Sequence, residues 1–172
     1  SLKNAILKPG TYYYVSREDW CSATYCNLWT GNLNVNGGSV PAYLDQENSM
    51  IKTVYDPSPV GYKVPSPKAF SNFTTTGKNT TNTAQFNVQG GFSNGWSFYI
   101  DSHRTSTSYF PAAGQRDYNT GNLTQCGIYL NYWANTIYQK NAGYLLEATE
   151  SKVNVNIYYN RSYGFSVRPV KE

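Results

Sequence analysis

Residues 153–170, VNVNIYYNRSYGFSVRPV, contain the clearest strand pattern in the chain. Branched apolar residues alternate with asparagine and tyrosine at the start of this stretch, so a strand would turn apolar side chains toward a core and polar ones away. After a polar turn at residues 160–164, the alternation resumes at Phe165 and Val167. We therefore predict a half-buried C-terminal hairpin that ties this end of the chain into a sheet.

The composition predicts one domain with a neutral, polar surface. Charged residues make up 14% of the 172 residues, against about 25% in an average soluble protein, while aromatic residues make up 16%. Much of the surface must then be Asn, Ser, Thr and Tyr. Such a surface is typical of binding faces, because Tyr offers a rigid ring with a polar tip and Asn or Ser offers adaptable hydrogen bonds. A β-rich secreted protein without a special binding face is the alternative.

The charges and the apolar residues are both scattered along the chain. The formal net charge is +4, and no basic run would form a phosphate-binding stripe, so we expect no nucleic acid partner. No run of about 18 apolar residues predicts a membrane span, and we expect no direct membrane insertion. No leader pattern is present, and the start at Ser1 suggests a mature form or an excised domain.

The chain contains three cysteines, Cys21, Cys26 and Cys126, and one histidine. A zinc site of the usual Cys/His kind needs more ligands close together, so we expect no metal and no cofactor. A short loop could bridge Cys21 and Cys26, and the sequence leaves a disulfide and free thiols open as alternatives.

Local patterns predict a short helix among several short strands. Ser66 is a suitable N-cap and proline a suitable first helical residue, which predicts a helix over Pro67–Phe73. Polar residues predict loops at 16–44 and 74–85. Strands are predicted at residues 11–15, 62–64, 96–100, 108–111, 128–134 and 143–148. This mixture predicts an α+β domain dominated by antiparallel sheet.

Residues with catalytic chemistry are present, but their spacing does not assemble a site. His103 stands within DSHR at residues 101–104, where consecutive side chains point in different directions, and no Gly-x-Ser-x-Gly turn is present. Asp101, Asp117 and Glu147 are the carboxylates considered for glycoside hydrolysis, which needs two of them about 5 to 9 Å apart. We expect a protein that is not an enzyme, with a glycosidase or an oxidase as the alternative if a deep pocket holds facing carboxylates or an activated thiol.

A stretch rich in aromatic and amide side chains is the expected binding face. Aromatic rings stack on sugar or peptide surfaces while Asn fixes orientation, and this recognition needs no catalyst. The expected ligand-binding residues are Tyr129, Asn131, Trp133, Asn135, Tyr138, Asn141, Tyr144, Asn154, Asn156 and Tyr158. The alternative is that many of these side chains pack inward or bond to neighbouring loops.

Four sequence blocks occur in order along the chain. They are KTVYDPSPVGYKVP at residues 52–65, FPAAGQRDYNTGNL at 110–123, YW at 132–133 and NRSYGFSVR at 160–168. Together they resemble surface domains of Bacteroides-type bacteria related to the Fibrobacter succinogenes major paralogous (FISUMP) family. The resemblance implies a C-type-lectin-like fold, in which short antiparallel strands accompany one or two short helices and long loops. It also implies an exported protein at the bacterial outer surface, typically a lipoprotein, an adhesin or a fimbria-associated protein.

The resemblance also implies particular neighbours and the absence of calcium. In C-type-lectin-like folds the last strand pairs near the first, so residues 164–170 should lie against residues 11–15. Family members often have cysteines where this chain has Ser58 and Pro169, which implies that these positions are neighbours and that residues 55–62 lie beside the last strand. The Glu-Pro-Asn, Gln-Pro-Asp and Trp-Asn-Asp motifs of calcium-dependent lectins are missing.

The sequence therefore predicts a single C-type-lectin-like domain over residues 1–172, a module of a larger surface protein. Its expected role is a secreted ligand-binding or adhesin module for a glycan or for a host or bacterial surface protein. A retroelement-diversified receptor is one alternative, because adenine-directed mutagenesis favours Asn, Tyr, Ser and Thr. A structural fimbrial subunit is another, and it would expose a donor strand or an acceptor groove.

Overall fold

Short antiparallel strands form most of the regular structure. The structure is a computed structural model that describes residues 7–8, 10–14, 29, 51–138 and 142–172. Its strands are β1 (Tyr62–Lys63), β2 (Val88–Gln89), β3 (Gly95–Tyr99), β4 (Thr107–Pro111), β5 (Gln115–Arg116), β6 (Leu123–Thr124), β7 (Leu130–Tyr138), β8 (Ala142–Ala148), β9 (Val153–Asn160) and β10 (Val170–Lys171). They form four small sheets, ordered β1-β10, β2-β3-β4, β5-β6 and β7-β8-β9. With little helix beside them in the described residues, the fold class is mainly-β or α+β.

The core lies between the β7-β8-β9 sheet and the β2-β3-β4 sheet. Its aromatic centre is Phe73, whose ring stacks on Phe98 at 4.1 Å between centroids and meets the edge of Phe110 at 5.0 Å. The buried cluster consists of Phe70, Phe73, Phe86, Trp96, Phe98, Phe110, Leu130, Tyr132, Ala134, Leu146, Ala148, Val153 and Val155. Alternate residues of β7, β8 and β9 enter this cluster, so one face of their sheet covers the core.

The predicted helix over Pro67–Phe73 is present, as a 3₁₀ helix. Pro67 begins it and Phe70 and Phe73 bury their rings in the core, while the side chain of Ser66 makes no capping hydrogen bond. Tertiary packing of the two rings therefore holds this short helix. The strands predicted at 62–64, 96–100, 108–111, 128–134 and 143–148 correspond to β1, β3, β4, β7 and β8 with shifted ends. The loop predicted at 74–85 contains the 3₁₀ turn Thr83–Gln85 at its end.

Strand β9 forms where the alternation predicts it, with Val153 and Val155 buried and Tyr158 exposed. Its predicted hairpin partner is wrong, because β9 pairs with β8 on one side. On its other side, Thr80 exchanges two backbone hydrogen bonds of 2.9 Å with Val153. The Asn79 side chain extends this contact by accepting from the backbone N–H of Asn156 and donating to its carbonyl. The outer edge of β9 is therefore bonded at Val153 and Asn156, and the residues after β9 pair elsewhere.

The chain after β9 crosses to the opposite edge of the same sheet. There Ser166 forms a parallel bridge with Tyr132 of β7. The backbone N–H of Trp133 donates to the Ser166 carbonyl at 2.9 Å, and the N–H of Ser166 donates to the Asn131 carbonyl at 3.1 Å. The alternation around residues 165–168 thus marks a single bridge rather than a second strand.

The last strand, β10, pairs with β1, where Tyr62 faces Lys171 and Lys63 faces Val170. Residues 11–14 contain no strand, so the expected strand pairing is wrong there, although Gly164 does lie against the ring of Tyr12; Val15 lies outside the described residues. Tyr12 still meets the C-terminal region, because its hydroxyl donates to the Ser162 carbonyl at 2.8 Å. The β1-β10 pairing confirms that the end of the 55–62 segment lies beside the last strand. That Ser58 and Pro169 are neighbours stays a prediction.

Two charged side chains shape the loop that leads into β1. The Lys52 ammonium donates to the carbonyls of Ser58 and Pro59, each at 2.8 Å. The buried carboxylate of Asp56 accepts the backbone N–H groups of Ser58 at 2.7 Å and Val64 at 3.0 Å. These contacts give a structural role to the Lys and Asp of the sequence block at residues 52–65.

Candidate functional site

The residues predicted to share one binding face are divided between the two faces of the β7-β8-β9 sheet. Asn131 and Trp133 pair with Glu147 and Leu145 of β8, on the face opposite the core. The strand then bulges between Trp133 and Ile137. The bulge inserts two extra residues into β7, because the four residue steps from Trp133 to Ile137 face the two from Leu145 to Gly143, so Ile137 stays on the same face as Trp133. Tyr138 follows Ile137 and therefore lies, by ordinary alternation, on the core-facing side at the end of the sheet.

Burial separates the predicted residues further. Asn131, Asn135 and Trp133 are buried, with exposures of 2%, 6% and 7%, so the expectation that they stand on an open surface is wrong. Tyr158 is 48% exposed. The half-buried members are Tyr129, Tyr138, Tyr144, Asn154 and Asn156. Asn141 lies outside the described residues, as do Cys21 and Cys26.

Trp133 and Asn135 instead line a cavity of about 340 Å³, which we call the tryptophan cavity. Four parts of the chain meet around it: residues 133–137 of β7, Gly143 of β8, the crossing segment at residues 161–167, and Tyr12, Tyr13 and Trp29 from the N-terminal part. The bulge in β7 places several consecutive residues at the wall. The cavity therefore depends on the crossing segment that the sequence pattern assigned to a hairpin.

Aromatic rings form one wall of the tryptophan cavity. Trp133 and Phe165 lie 4.6 Å apart between ring centroids, and Phe165 stacks on Tyr163 at 5.3 Å with an interplanar angle of 11°. Gly143 allows the indole to lie against β8, because a Cβ at that position would come within 3.2 Å of the Trp133 ring. The rings therefore form a continuous apolar platform.

Polar groups complete the lining. The Thr136 hydroxyl donates to the Asn135 side-chain oxygen at 3.1 Å, and both residues are buried. Burial is the main cause that raises the pKa of the Tyr12 phenol, and the same cause raises the pKa of Tyr163. Arg161 is the charged residue among the described lining, which contains no acidic residue. The combination of stacked rings with amide, hydroxyl and guanidinium groups suits a polar ligand with a flat apolar side.

Tyr138, Tyr144 and Tyr158, which were predicted as site residues, gather in a separate tyrosine cluster. Tyr138 and Tyr158 stack at 3.6 Å between centroids, and Tyr144 meets Tyr138 edge-on at 5.5 Å. A hydrogen bond with Tyr158 is the first cause that raises the pKa of Tyr138. The cluster keeps one ring, that of Tyr158, largely exposed.

Glu147 holds a buried polar network on the face opposite the core, and its side chain is 1% exposed. One carboxylate oxygen accepts from Lys152 at 2.6 Å and from the Asn154 amide at 2.9 Å. The other accepts from the Tyr159 hydroxyl at 3.0 Å. Lys152 also lies 5.1 Å from the centre of the Tyr129 ring. Asn154 and Tyr129 thus serve a structural network, and Glu147 has both oxygens engaged.

The other two carboxylates considered for hydrolysis close turns. Asp101 accepts the backbone N–H groups of His103, Thr105 and Ser106, and these bonds, that of Thr105 first, lower its pKa. Asp117 accepts two more backbone N–H groups within its own turn.

Among the described residues, no group of three or more His, Cys, Asp or Glu side chains could hold a metal ion. Cys126 is free and exposed. The described part of the chain contains no helix long and apolar enough to cross a membrane. Comparisons with protein-family models, with curated proteins and with solved structures gave no match for this chain.

Sequence reasoning missed several residues of the tryptophan cavity: Tyr12, Trp29, Arg161, Ser162, Tyr163 and Phe165. The signal for the last four was present in the sequence NRSYGF at residues 160–165, where a tyrosine and an arginine lie in the predicted turn and Phe165 follows it directly. Large side chains in a predicted turn indicate packing against another element, and here they pack against the outer face of β7.

Proposed function

We propose that this domain is a non-catalytic ligand-binding module that holds a glycan in the tryptophan cavity. The observation that carries the proposal is an aromatic wall, formed by Trp133, Phe165 and Tyr163, beside the buried amide of Asn135. A sugar ring has an apolar face that stacks on such rings and a polar edge that bonds to amides and hydroxyls. Recognition of this kind is noncovalent and uses no general acid or nucleophile.

The dimensions of the cavity favour a sugar over a protein surface. Its volume of about 340 Å³ lies near the lower end of the range of about 300–1,000 Å³ for small-molecule sites. A protein partner would instead need a broad exposed patch with aromatic anchors. The predicted open patch on β7 is replaced by a recess, because Asn131, Trp133 and Asn135 are buried. The sequence predicts either a glycan or a protein as the ligand. Of these two, the geometry of the cavity supports a glycan.

The biological setting follows from the resemblance to FISUMP-type surface domains. A C-type-lectin-like fold is supported by the small antiparallel sheets and by the pairing of the last strand with β1, which lies within the block at residues 52–65. On this basis the module acts as an adhesin, exported to the outer surface of a Bacteroides-type bacterium as part of a lipoprotein or fimbria-associated protein. Its partner is a glycan carried by a host or bacterial surface molecule.

A glycan array with the purified domain and matched variants tests the proposal. Trp133→Phe keeps an aromatic ring but reduces the stacking area, so we expect binding to fall by about three- to tenfold. Asn135→Ala removes the buried amide and should weaken binding further. Both variants are first compared with the wild type by thermal unfolding.

The control is Trp96→Phe, the same substitution in the core cluster, where the indole N–H donates to the Thr149 carbonyl at 2.8 Å. This variant should lose stability while keeping the glycan profile. A profile that survives both cavity substitutions in folded protein would refute the tryptophan cavity as the binding site.

A further inference from the structure

A second cavity of about 410 Å³ lies beside the tyrosine cluster, and we call it the tyrosine cavity. Tyr138 and Tyr158, the stacked pair, line it together with Tyr118, Tyr159 and Asn160. Its described lining carries hydroxyl and amide groups and no charged side chain. The tyrosine cavity therefore offers ring faces and neutral hydrogen-bonding groups, the same chemistry as the tryptophan cavity without the arginine.

Tyr163 lines both cavities. Its ring stacks on Phe165 on one side and meets Tyr118 edge-on at 4.9 Å and Tyr159 at 5.8 Å on the other. A chain of ring contacts thus runs from Trp133 through Phe165 and Tyr163 into the tyrosine cavity. The two recesses share a wall and can hold successive parts of one ligand.

We propose that the two cavities are adjacent subsites for one oligosaccharide, whose chain passes over Tyr163 and places an uncharged sugar unit on the Tyr138–Tyr158 pair. The proposal rests on the proposed function, since it assigns the ligand length and the second platform of the same site. Tyrosine rings supply stacking surface at low entropic cost, and their hydroxyls match the hydroxyls of neutral sugars.

The occupied sheet edges argue against an extended peptide as the ligand. A peptide that binds an open sheet does so by adding a strand to a free edge. Thr80 and Asn79 bond to the outer edge of β9 at Val153 and Asn156, and Ser166 bonds to the edge of β7 at Asn131 and Trp133. The backbone is engaged at these positions, which favours ligand contacts through side chains and suits a sugar chain.

The test is isothermal titration with neutral oligosaccharides, graded from monomer to hexamer, of glucose, mannose, galactose and N-acetylglucosamine. We expect affinity in at least one series to rise by about tenfold or more once the chain is long enough to reach the second platform. Tyr158→Ala should abolish this gain. Tyr62→Ala is the matched control, because Tyr62 is 46% exposed against 48% for Tyr158 and lies on β1, outside the lining of both cavities.

The outcomes separate the two proposals. Monomers and hexamers that bind equally, with no effect of Tyr158→Ala, would overturn the second subsite and leave the tryptophan cavity intact as a sugar site. A length gain that persists in folded Tyr158→Ala protein would also overturn it. Absence of binding by every sugar in all four series would count against the proposed function itself, and the second subsite would fall with it.

Discussion

At the residue scale, the side chain of Glu147 shows how a buried charge is kept in this fold. An unpaired carboxylate would be costly to remove from water, and here three donors surround it. The donors come from Lys152 and Asn154, around the start of β9, and from Tyr159 near its end. Glu147 therefore links both ends of β9 to β8, next to the irregularity in the register between the two strands.

Replacement of Tyr159 by Phe tests this network. The substitution removes a hydrogen bond to a buried charge, and we expect the free energy of unfolding in urea to fall by about 1.5–3 kcal/mol. The substitution Tyr62→Phe, at an exposed tyrosine of β1, should change it by less than about 0.5 kcal/mol. Equal stability of the Tyr159→Phe protein and the wild type would show that the network does not hold β9 in place.

The same residue predicts a dependence on alkaline pH. Burial first, and then the negative charge of Glu147, raise the pKa of Tyr159 from 10.0 to about 12. A raised folded-state pKa means that the contribution of Tyr159 to stability is complete below pH 10 and is lost as pH rises through about 12. The stability difference between wild type and Tyr159→Phe should therefore shrink across this interval in urea unfolding curves. A difference that stays constant would contradict the assignment.

At the element scale, the β2-β3-β4 sheet depends on a glycine at the start of β3. Gly95 has a φ of +152°, and a Cβ there would overlap the Phe110 carbonyl oxygen and lie 2.8 Å from the Tyr109 hydroxyl. Backbone atoms cannot move aside cheaply in a paired strand, so β4 would have to shift.

We expect Gly95→Ala to lower the free energy of unfolding by more than about 2 kcal/mol, as judged by urea denaturation. The control is Gly91→Ala, because a Cβ at Gly91 would meet no atom within 4 Å and the residue needs no left-handed backbone. That variant should stay within about 0.5 kcal/mol of the wild type. Similar losses in both variants would mean that the close approach of β3 and β4 is not as described.

Elements with a strong local signal could be predicted from the sequence, and their partners could not. The alternation of β9 fixes which residues are buried, as Val153 and Val155 show, because side-chain period and burial are directly linked. It does not say which strand lies alongside. The partner on the outer edge of β9 is Thr80, within a Thr/Asn tract whose sequence indicates only a loop.

The composition of the candidate site could be predicted from the sequence, and its shape could not. Tyr and Trp in the segment after residue 128 suggested recognition, and Trp133 does line a cavity. The bulge between Trp133 and Ile137 has no sequence signature here, and it brings consecutive residues of β7 to the cavity wall. The crossing segment with Tyr163 and Phe165 comes from a contact distant in sequence, which local patterns do not encode.

At the scale of the whole molecule, the crossing segment links core and site. It leaves β9, passes over the outer face of β7 with its aromatic side chains, and ends in β10 against β1. The core-facing side of the β7-β8-β9 sheet is packed with apolar residues, while the opposite side is covered by this segment. The sheet thus holds Trp133 in position, and the crossing segment contributes the other rings of the cavity wall, Phe165 and Tyr163.

Intrinsic tryptophan fluorescence, measured while the best glycan from the array is titrated into the protein, tests the central claim most directly. Trp29 and Trp133 line the cavity, and Trp96 lies in the core cluster on the other side of the sheet. We predict a saturable change in emission that is lost or strongly reduced when Trp29 and Trp133 are both replaced by Phe, and that is retained in Trp96→Phe. A change of the same size in the folded double variant, or one lost only in Trp96→Phe, would contradict binding in the tryptophan cavity.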